Sequence, residues 1–310
     1  MPLDPQLQKF LSDLAMAGAP EFNALPVETA RAGLHELVKL FPATQSIAKS
    51  EDRVIEAGRV SVRIYTPNGT GPFPVLLYLH GGGWVIGDLD SYDPICRELC
   101  GGVGCIVVSV NYRLAPEHRF PAAIDDAGAA LRWVMAHCSD IGGDPQRIAI
   151  GGDSAGGNLA AITTIEARQS LPGKLCAQLL IYPVTSHVGT PSQSMIDNAE
   201  GYLLTQRDMV WFTDHYLGKG HDGRDPRFNV SCVDDLSDLP PALVITAEFD
   251  PLCDEGEAYA AALKKAGGEV KLSRYEGAIH GFFMFFSGFD ISRRLMDEAN
   301  TWLKAQFARA

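Results

Sequence analysis

Residues 151–157 read Gly151-Gly152-Asp153-Ser154-Ala155-Gly156-Gly157 and connect two segments of different character. The apolar run 147–150 before them is long enough for a buried strand, and residues 158–162 after them begin a helix with good helix formers. A Gly-x-Ser-x-Gly pattern between a strand and a helix is typical of a nucleophile elbow, a sharp turn that exposes a serine hydroxyl. Glycine is needed on both sides because side chains there would collide with the neighbouring strand and helix.

A second interpretation of this stretch is a glycine-rich turn in which Ser154 only caps the following helix. The functional interpretation has physical support, because the helix N-terminus behind Ser154 presents unpaired N–H groups and a positive dipole end to an oxyanion. The functional interpretation also requires that the rest of the chain supply a base, a group that orients the base and further N–H donors.

The composition of the chain is that of a soluble globular protein with a large core. It has 310 residues, of which 46% are hydrophobic and 21% charged, with a net charge of −12. This charge argues against nucleic acid or a membrane surface as partner, because both require a basic face. The longest apolar run, 75–79, is far shorter than the ~18 residues of a membrane span, and no signal peptide is found. Seven cysteines without C-x-x-C spacing predict reduced thiols in a cytoplasmic protein and no metal site.

Apolar runs alternate with helical patterns along most of the chain, which predicts a mostly parallel sheet covered by helices on both faces. We interpret residues 1–310 as a single α/β domain. The predicted strands are 60–64, 74–79, 105–110, 147–150, 177–182, 242–247 and 270–275. The predicted helices of the sheet layers include 122–137, 256–266 and 292–307.

Two segments depart from this rhythm and predict a helical cap over a pocket. Residues 1–45 contain two amphipathic helical patterns separated by a Gly-Ala-Pro break. Residues 185–225 are rich in large apolar side chains and have weak sheet character. Ordinary packing against the core is the alternative for both segments.

His80-Gly81-Gly82-Gly83-Trp84 follows the predicted strand 74–79 directly. Three successive glycines let bare backbone approach a ligand and turn its N–H groups toward it. In this position they predict the oxyanion-hole donors that an acyl-transfer enzyme needs. A phosphate-binding loop is disfavoured because the Gly-Lys-Ser/Thr ending is missing and no G-x-G-x-x-G opens a helix here.

The base and its orienting acid can be sought in the chain order Ser, Asp or Glu, then His. Of the four histidines after the serine, only His280 follows both the next core strand and its acidic turn. That turn offers Glu248, Asp250, Asp254 and Glu255. Asp250 is favoured because it stands at the carboxyl end of the strand, whereas Asp254 would more naturally cap the following helix.

Five motifs in this order resemble the hormone-sensitive-lipase family of α/β-hydrolases, and most closely its microbial carboxylesterases. They are His80-Gly81-Gly82-Gly83-Trp84, Tyr112-Arg113-Leu114-Ala115-Pro116-Glu117, Gly152-Asp153-Ser154-Ala155-Gly156-Gly157, Asp250-Pro251-Leu252 and His280-Gly281-Phe282. The resemblance extends over nearly the whole chain, including the N-terminal helices, which belong to a cap in that family. It implies an α/β-hydrolase fold with a helical cap.

The resemblance also implies roles for single residues. Ser154 would be the nucleophile, His280 the general base and acid, and Asp250 the group that orients the imidazole. His80 would be structural. The implied oxyanion donors are the N–H groups of Gly82, Gly83 and Ala155.

The expected reaction is hydrolysis of short- to medium-chain acyl esters through an acyl-enzyme, with no metal or organic cofactor. Aromatic or aliphatic character near the motifs predicts a pocket lined by Trp84, Tyr182, Leu203, Leu204 and Phe212. Two alternatives remain open: a receptor-like binding module on the same scaffold, or a lipase, amidase or deacetylase with the same triad. The protein is expected to be a monomer or a homodimer, the latter through the edge strand 270–275.

Overall fold

The computed structural model describes residues 2–55, 59–171, 175–187, 189 and 191–310, without the side chains of residues 169 and 170. These residues contain one eight-stranded sheet. Its strands are β1 (Lys49–Ile55), β2 (Val60–Thr66), β3 (Phe73–Leu79), β4 (Ile106–Asn111), β5 (Gly143–Asp153), β6 (Leu175–Ile181), β7 (Ala242–Phe249) and β8 (Val270–Ile279). They lie in the order β1-β2-β4-β3-β5-β6-β7-β8, and only the pairs β1–β2 and β2–β4 are antiparallel. The predicted mostly parallel sheet is confirmed.

Helices cover the sheet, and two pairs of them pack against each other: α3 with α9 and α4 with α5. The helices of the described residues are α1 (Pro5–Met16), α2 (Val27–Val38), α3 (Asp93–Val103), α4 (Ala122–His137), α5 (Ala155–Ser170), α6 (Gln193–Asp197), α7 (Gln206–Leu217), α8 (Cys253–Lys265) and α9 (Asp290–Arg309). Within the described part of the chain, no helix combines the length and the apolarity that crossing a membrane requires.

The parallel strands β3, β5 and β6 are neighbours, and their carboxyl ends lie at one edge of the sheet. Residues 75–79 of β3 and 148–150 of β5 are buried, as expected for strands covered on both faces. The register pairs Leu79 with Gly152 and Asp153 with Ile181. The segments that leave β3, β5 and β6 therefore start side by side, at the edge where open α/β sheets bind ligands.

The strand bounds differ from the sequence predictions mainly at the edges of the sheet. β1 was not predicted, because it carries alternating charges such as Glu51 and Arg53 instead of an apolar run. Charged side chains are a common protection of an exposed edge strand. At the opposite edge, β8 continues to Ile279, beyond the predicted end at residue 275, so that His280 follows the strand directly.

Candidate active site

Ser154 occupies the sharp turn between β5 and α5. Its backbone angles are φ 55° and ψ −120°, a conformation that a residue with a side chain adopts only under strain. A Cβ atom at Gly152 or at Gly156 would collide with the carbonyl oxygen of Leu79. The glycines are therefore required by the close approach of β3, as the sequence argument expected.

The structure brings Ser154, His280 and Asp250 together in one line of hydrogen bonds. Ser154 Oγ lies 2.9 Å from His280 Nε2, and His280 Nδ1 lies 2.7 Å from Asp250 Oδ2. Asp250 is fully buried, whereas Ser154 is 9% exposed and His280 is 8% exposed. Because the carboxylate can only accept, Nδ1 carries the proton and Nε2 is left to accept the serine proton.

Asp250 is held by its own turn and by a neighbouring segment. Its Oδ1 accepts the Leu252 N–H at 2.8 Å, and Asn198 Nδ2 donates to the Asp250 carbonyl oxygen at 3.3 Å. The ring of Tyr182 lies 4.5 Å from the His280 ring and limits its movement. The carboxylate and the imidazole are therefore both fixed in orientation.

The three other carboxylates of the acidic turn bind backbone N–H groups of other segments. Each therefore has a structural partner of its own, and none of them is bonded to His280. The pairs are Glu248 with Gly277 at 2.7 Å, Asp254 with Ser194 at 2.8 Å and Glu255 with Thr185 at 2.7 Å.

The glycine loop after β3 supplies free N–H groups beside Ser154. Gly82 and Gly83 have φ angles of 105° and 58°, and a Cβ atom on Gly83 would collide with the ring of Phe212. Within the described residues, the N–H groups of Gly82, Gly83 and Ala155 donate to no protein acceptor. Ala155 is the first residue of α5, where no intrahelical acceptor exists.

His80 supports this loop, and its ring is not hydrogen-bonded to Ser154. Its Nδ1 lies 2.7 Å from the Gly81 carbonyl oxygen, and its ring stacks on Tyr112 at 4.2 Å. Burial lowers the pKa of His80 to about 4, so the ring is neutral at ordinary pH. Since a carbonyl can only accept, Nδ1 is the protonated nitrogen. This contact agrees with the structural role that the family resemblance implies.

Comparisons with known proteins identify the family to which the chain belongs. A family model described as alpha/beta hydrolase fold matches residues 76–284. The chain is 42% identical over 299 residues to the carboxylic ester hydrolase LipN of Mycobacterium tuberculosis, covering 92% of this chain and 78% of LipN. The chain belongs to the hormone-sensitive-lipase family of α/β-hydrolases.

A solved structure extends the similarity to almost every residue of this hydrolase. The hyperthermophilic esterase of the archaeon Pyrobaculum calidifontis superposes with a TM-score of 0.94 at 40% identity, covering 98% of this chain and 99% of that one. A second relative, the carboxylesterase NlhH of Mycobacterium tuberculosis, is 41% identical over 296 residues, which cover 91% of this chain and 89% of NlhH.

The active-site cavity of the hydrolase is small and mostly apolar, with a volume of about 80 Å³. Of the five predicted pocket residues, Tyr182, Leu203, Leu204 and Phe212 line it. Sequence reasoning missed three further groups of lining residues. They are Phe22, Leu34 and Leu37 from the N-terminal segment, Ile86 and Tyr92 after the glycine loop, and Met284 and Phe285 after His280.

Trp84 was predicted to line the pocket, and this prediction is wrong. Its side chain is fully buried and stacks on Tyr216, with ring centroids 4.5 Å apart and an interplanar angle of 6°. Trp84 is not one of the described residues that line the cavity. The reason is the backbone, because Gly83 and Trp84 both have positive φ angles and this turn directs the indole into the core.

Asp153 is a polar neighbour of the serine that sequence reasoning did not single out. It is 2% exposed and accepts hydrogen bonds from Tyr78 Oη at 2.7 Å, Tyr92 Oη at 2.9 Å and the Gly81 N–H at 3.1 Å. Burial raises the pKa of Asp153 to about 6, although its three donors act in the opposite direction. The only sequence signal was an acidic residue inside an otherwise small and apolar turn.

Proposed function

We propose that this hydrolase cleaves carboxylic esters of short- to medium-chain acids through an acyl-enzyme on Ser154. The supporting observation is the continuous hydrogen-bonded line from Ser154 Oγ through His280 to Asp250, at 2.9 Å and 2.7 Å. Relatives named as carboxylic ester hydrolases support the same reaction class. The substrate is a small-molecule ester, and no cofactor takes part in the proposed steps.

Each step of the proposed mechanism uses a group described above. Ser154 Oγ bonds to the ester carbonyl carbon while His280 Nε2 takes the hydroxyl proton. The carbonyl electron pair becomes an oxyanion, which the N–H groups of Gly82, Gly83 and Ala155 stabilise. The bond to the alcohol oxygen then breaks, and the imidazolium returns its proton to that oxygen. Water repeats both steps on the acyl-enzyme, which releases the acid and restores the serine.

We further propose that residues 1–45 and 185–225 act as one cap within a single domain 1–310. The support is a polar contact that joins them, because Asp208 on α7 is fully buried and accepts from Asn23 N and Asn23 Nδ2, both at 2.9 Å. Beside this contact, the rings of Phe22 and Phe212 lie 5.6 Å apart. Both segments contribute lining residues to the cavity.

The Asp208→Asn variant tests the cap. The amide nitrogen must face N–H donors of Asn23 or the N–H of Thr205, so that at least one buried hydrogen bond becomes a repulsive contact. We expect KM for a short-chain ester to rise ~10-fold with a smaller change in kcat, as for ~1.4 kcal/mol of lost binding. The matched control is Arg207→Ala, since the adjacent Arg207 is exposed and its ion pair with Glu21 contributes little. A KM that is equal in the native protein and Asp208→Asn would contradict the cap.

The acyl-chain preference tests the proposed function directly. With chromogenic esters from acetyl to dodecanoyl, we expect kcat/KM to peak at short or medium chains, because the apolar cavity beside Ser154 is small, about 80 Å³, and a long chain would extend beyond it. The longest ester should be at least ~10-fold poorer, since single methylenes in a closed pocket already change rates by that factor. A maximum at the longest chain would favour a lipase, and faster cleavage of the matching anilide an amidase. Binding of a small molecule without any hydrolysis would favour the receptor-like module.

The cytoplasmic location and the assembly state also remain proposals. All seven cysteines lie in the described residues and are free thiols, five of them buried, which is the pattern of a reducing compartment. β8 is an edge strand of the sheet and provides a surface through which a homodimer could form. Sedimentation at several protein concentrations distinguishes the dimer from the monomer.

A further inference from the structure

Side chains fix both peptide units that precede the oxyanion donors. In the unit between His80 and Gly81, the carbonyl oxygen accepts from Tyr112 Oη at 2.7 Å and the N–H donates to Asp153 Oδ1 at 3.1 Å. In the next unit, the Gly81 carbonyl oxygen lies 2.7 Å from His80 Nδ1. Because a trans peptide is planar, its N–H, which belongs to Gly82, must point away from the His80 ring. The side chain of His80 therefore fixes the direction of the Gly82 N–H group.

Asp153 approaches the loop so closely that residue 81 must be glycine. A Cβ atom on Gly81 would collide with Asp153 Oδ2 and lie 2.8 Å from the Tyr92 hydroxyl oxygen. The Asp153 carboxylate also joins β3 through Tyr78 and the start of α3 through Tyr92. One side chain, next to Ser154 in sequence, thus connects the elbow to β3, to the glycine loop and to the start of α3.

We infer that Asp153 is a positioning residue, which holds the Gly82 and Gly83 N–H groups in line with the oxyanion formed on Ser154. This inference rests on the proposed ester hydrolysis and adds Asp153 to Tyr112 and His80 as a side chain that holds the loop. Asp153 does not exchange protons with the substrate. A carboxylate suits the task because its two oxygens accept from two hydroxyls and one N–H at once. Burial of a carboxylate without a cationic partner is unfavourable for the fold, and such groups are concentrated at functional sites.

Two substitutions at this position separate the acceptor from the charge. Asp153→Asn keeps an oxygen for the Gly81 N–H, and its amide can donate to the Tyr92 oxygen. Asp153→Leu has a similar shape and no acceptor. For a short-chain ester we expect Asp153→Leu to lower kcat ~10²-fold, the scale of one lost oxyanion donor, with KM within ~3-fold. Asp153→Asn should stay within ~5-fold of the native kcat. The hydrogen bond with Tyr92 changes direction, but the bond from the Gly81 N–H is kept.

Two readouts distinguish positioning from a general loss of structure. A short alkylboronic acid, which forms a tetrahedral adduct on the serine, should bind Asp153→Leu more weakly by the same ~10²-fold factor. Hydrogen exchange at residues 80–86 should be faster in Asp153→Leu than in Asp153→Asn, and this measurement needs no activity. The control is Glu98→Gln, another buried carboxylate, which accepts from the N–H groups of Thr44 and Gln45 and also pairs with Arg293. It should lower the melting temperature, because a buried ion pair and a hydrogen bond are weakened, and leave kcat within ~2-fold.

Each result decides the inference. A native kcat in Asp153→Leu, a loss confined to KM, or an Asp153→Asn variant as slow as Asp153→Leu would overturn it. If Asp153→Leu does not fold, the same measurements on Asp153→Leu with Tyr78→Phe and Tyr92→Phe replace it, because the unpartnered hydroxyls are then removed as well. A native protein inactive on every ester would refute the proposed function instead, and the exchange rates would still report on the link between Asp153 and the loop.

Discussion

The Ser154→Ala variant should hydrolyse esters ~10⁶-fold more slowly than the native protein, the scale seen when a triad nucleophile is removed. The substitution deletes the attacking oxygen, and the remaining donors of Gly82, Gly83 and Ala155 can only assist water. The fold should persist, because Ser154 Oγ makes one side-chain hydrogen bond, to His280, and the turn is built by the surrounding glycines. The measurement is turnover of a short-chain chromogenic ester, with the melting temperature as the check on folding.

Covalent labelling provides the control for this prediction. An alkylphosphonate ester should add one phosphonyl group to the native protein, located at Ser154 by mass spectrometry, and none to Ser154→Ala. The assignment of the nucleophile would fail if the variant kept a rate within ~10-fold of the native enzyme, since a deleted triad nucleophile lowers the rate far more. Labelling at another residue would identify the true nucleophile.

The Asp250→Asn variant should lower kcat ~10⁴-fold, as expected when the orienting carboxylate of a triad becomes an amide. The amide can place its NH₂ group against His280 Nδ1, which then accepts, and the ring proton moves to Nε2. An Nε2 that already carries a proton cannot take one from Ser154. Because Asp250 is fully buried and bonded to Nδ1 at 2.7 Å, no water can replace its carboxylate as the acceptor for the Nδ1 proton.

Asp254→Asn is the matched control, because Asp254 is an acid of the same turn. It accepts the Ser194 N–H at 2.8 Å, and its substitution should leave kcat within ~3-fold, since a single such bond contributes modestly to stability. If Asp254→Asn abolished activity while Asp250→Asn did not, the acid would have been assigned to the wrong residue of the turn.

The parts of the structure that follow from local sequence were predicted well. The buried strands before Ser154 and before the glycine loop are short apolar runs, and their parallel pairing follows from the helices between them. The hydrogen-bonded meeting of Ser154, Asp250 and His280 agrees with their order along the chain, because each follows a different strand of one sheet edge. Their catalytic roles remain predictions for the two variants above.

What could not be predicted depends on contacts between distant segments. The direction of the Trp84 side chain is set by a backbone φ of 61°, which the apolar character of tryptophan does not reveal. The lining residues Leu34 and Leu37 belong to a correctly predicted helix, but its position over the cavity is decided by tertiary packing. The partners of Asp153 are hydroxyl and N–H groups more than 60 residues away in sequence, beyond any local pattern.

The packing of Phe212 on Gly83 links substrate choice to reaction speed. The Phe212 ring borders the cavity and also occupies the space that a side chain at position 83 would need. Any exchange at position 212 that reshapes the acyl site therefore also changes the support of a backbone donor. We therefore expect variants at position 212 that admit bulkier substrates to change turnover as well as selectivity, while position 83 stays glycine.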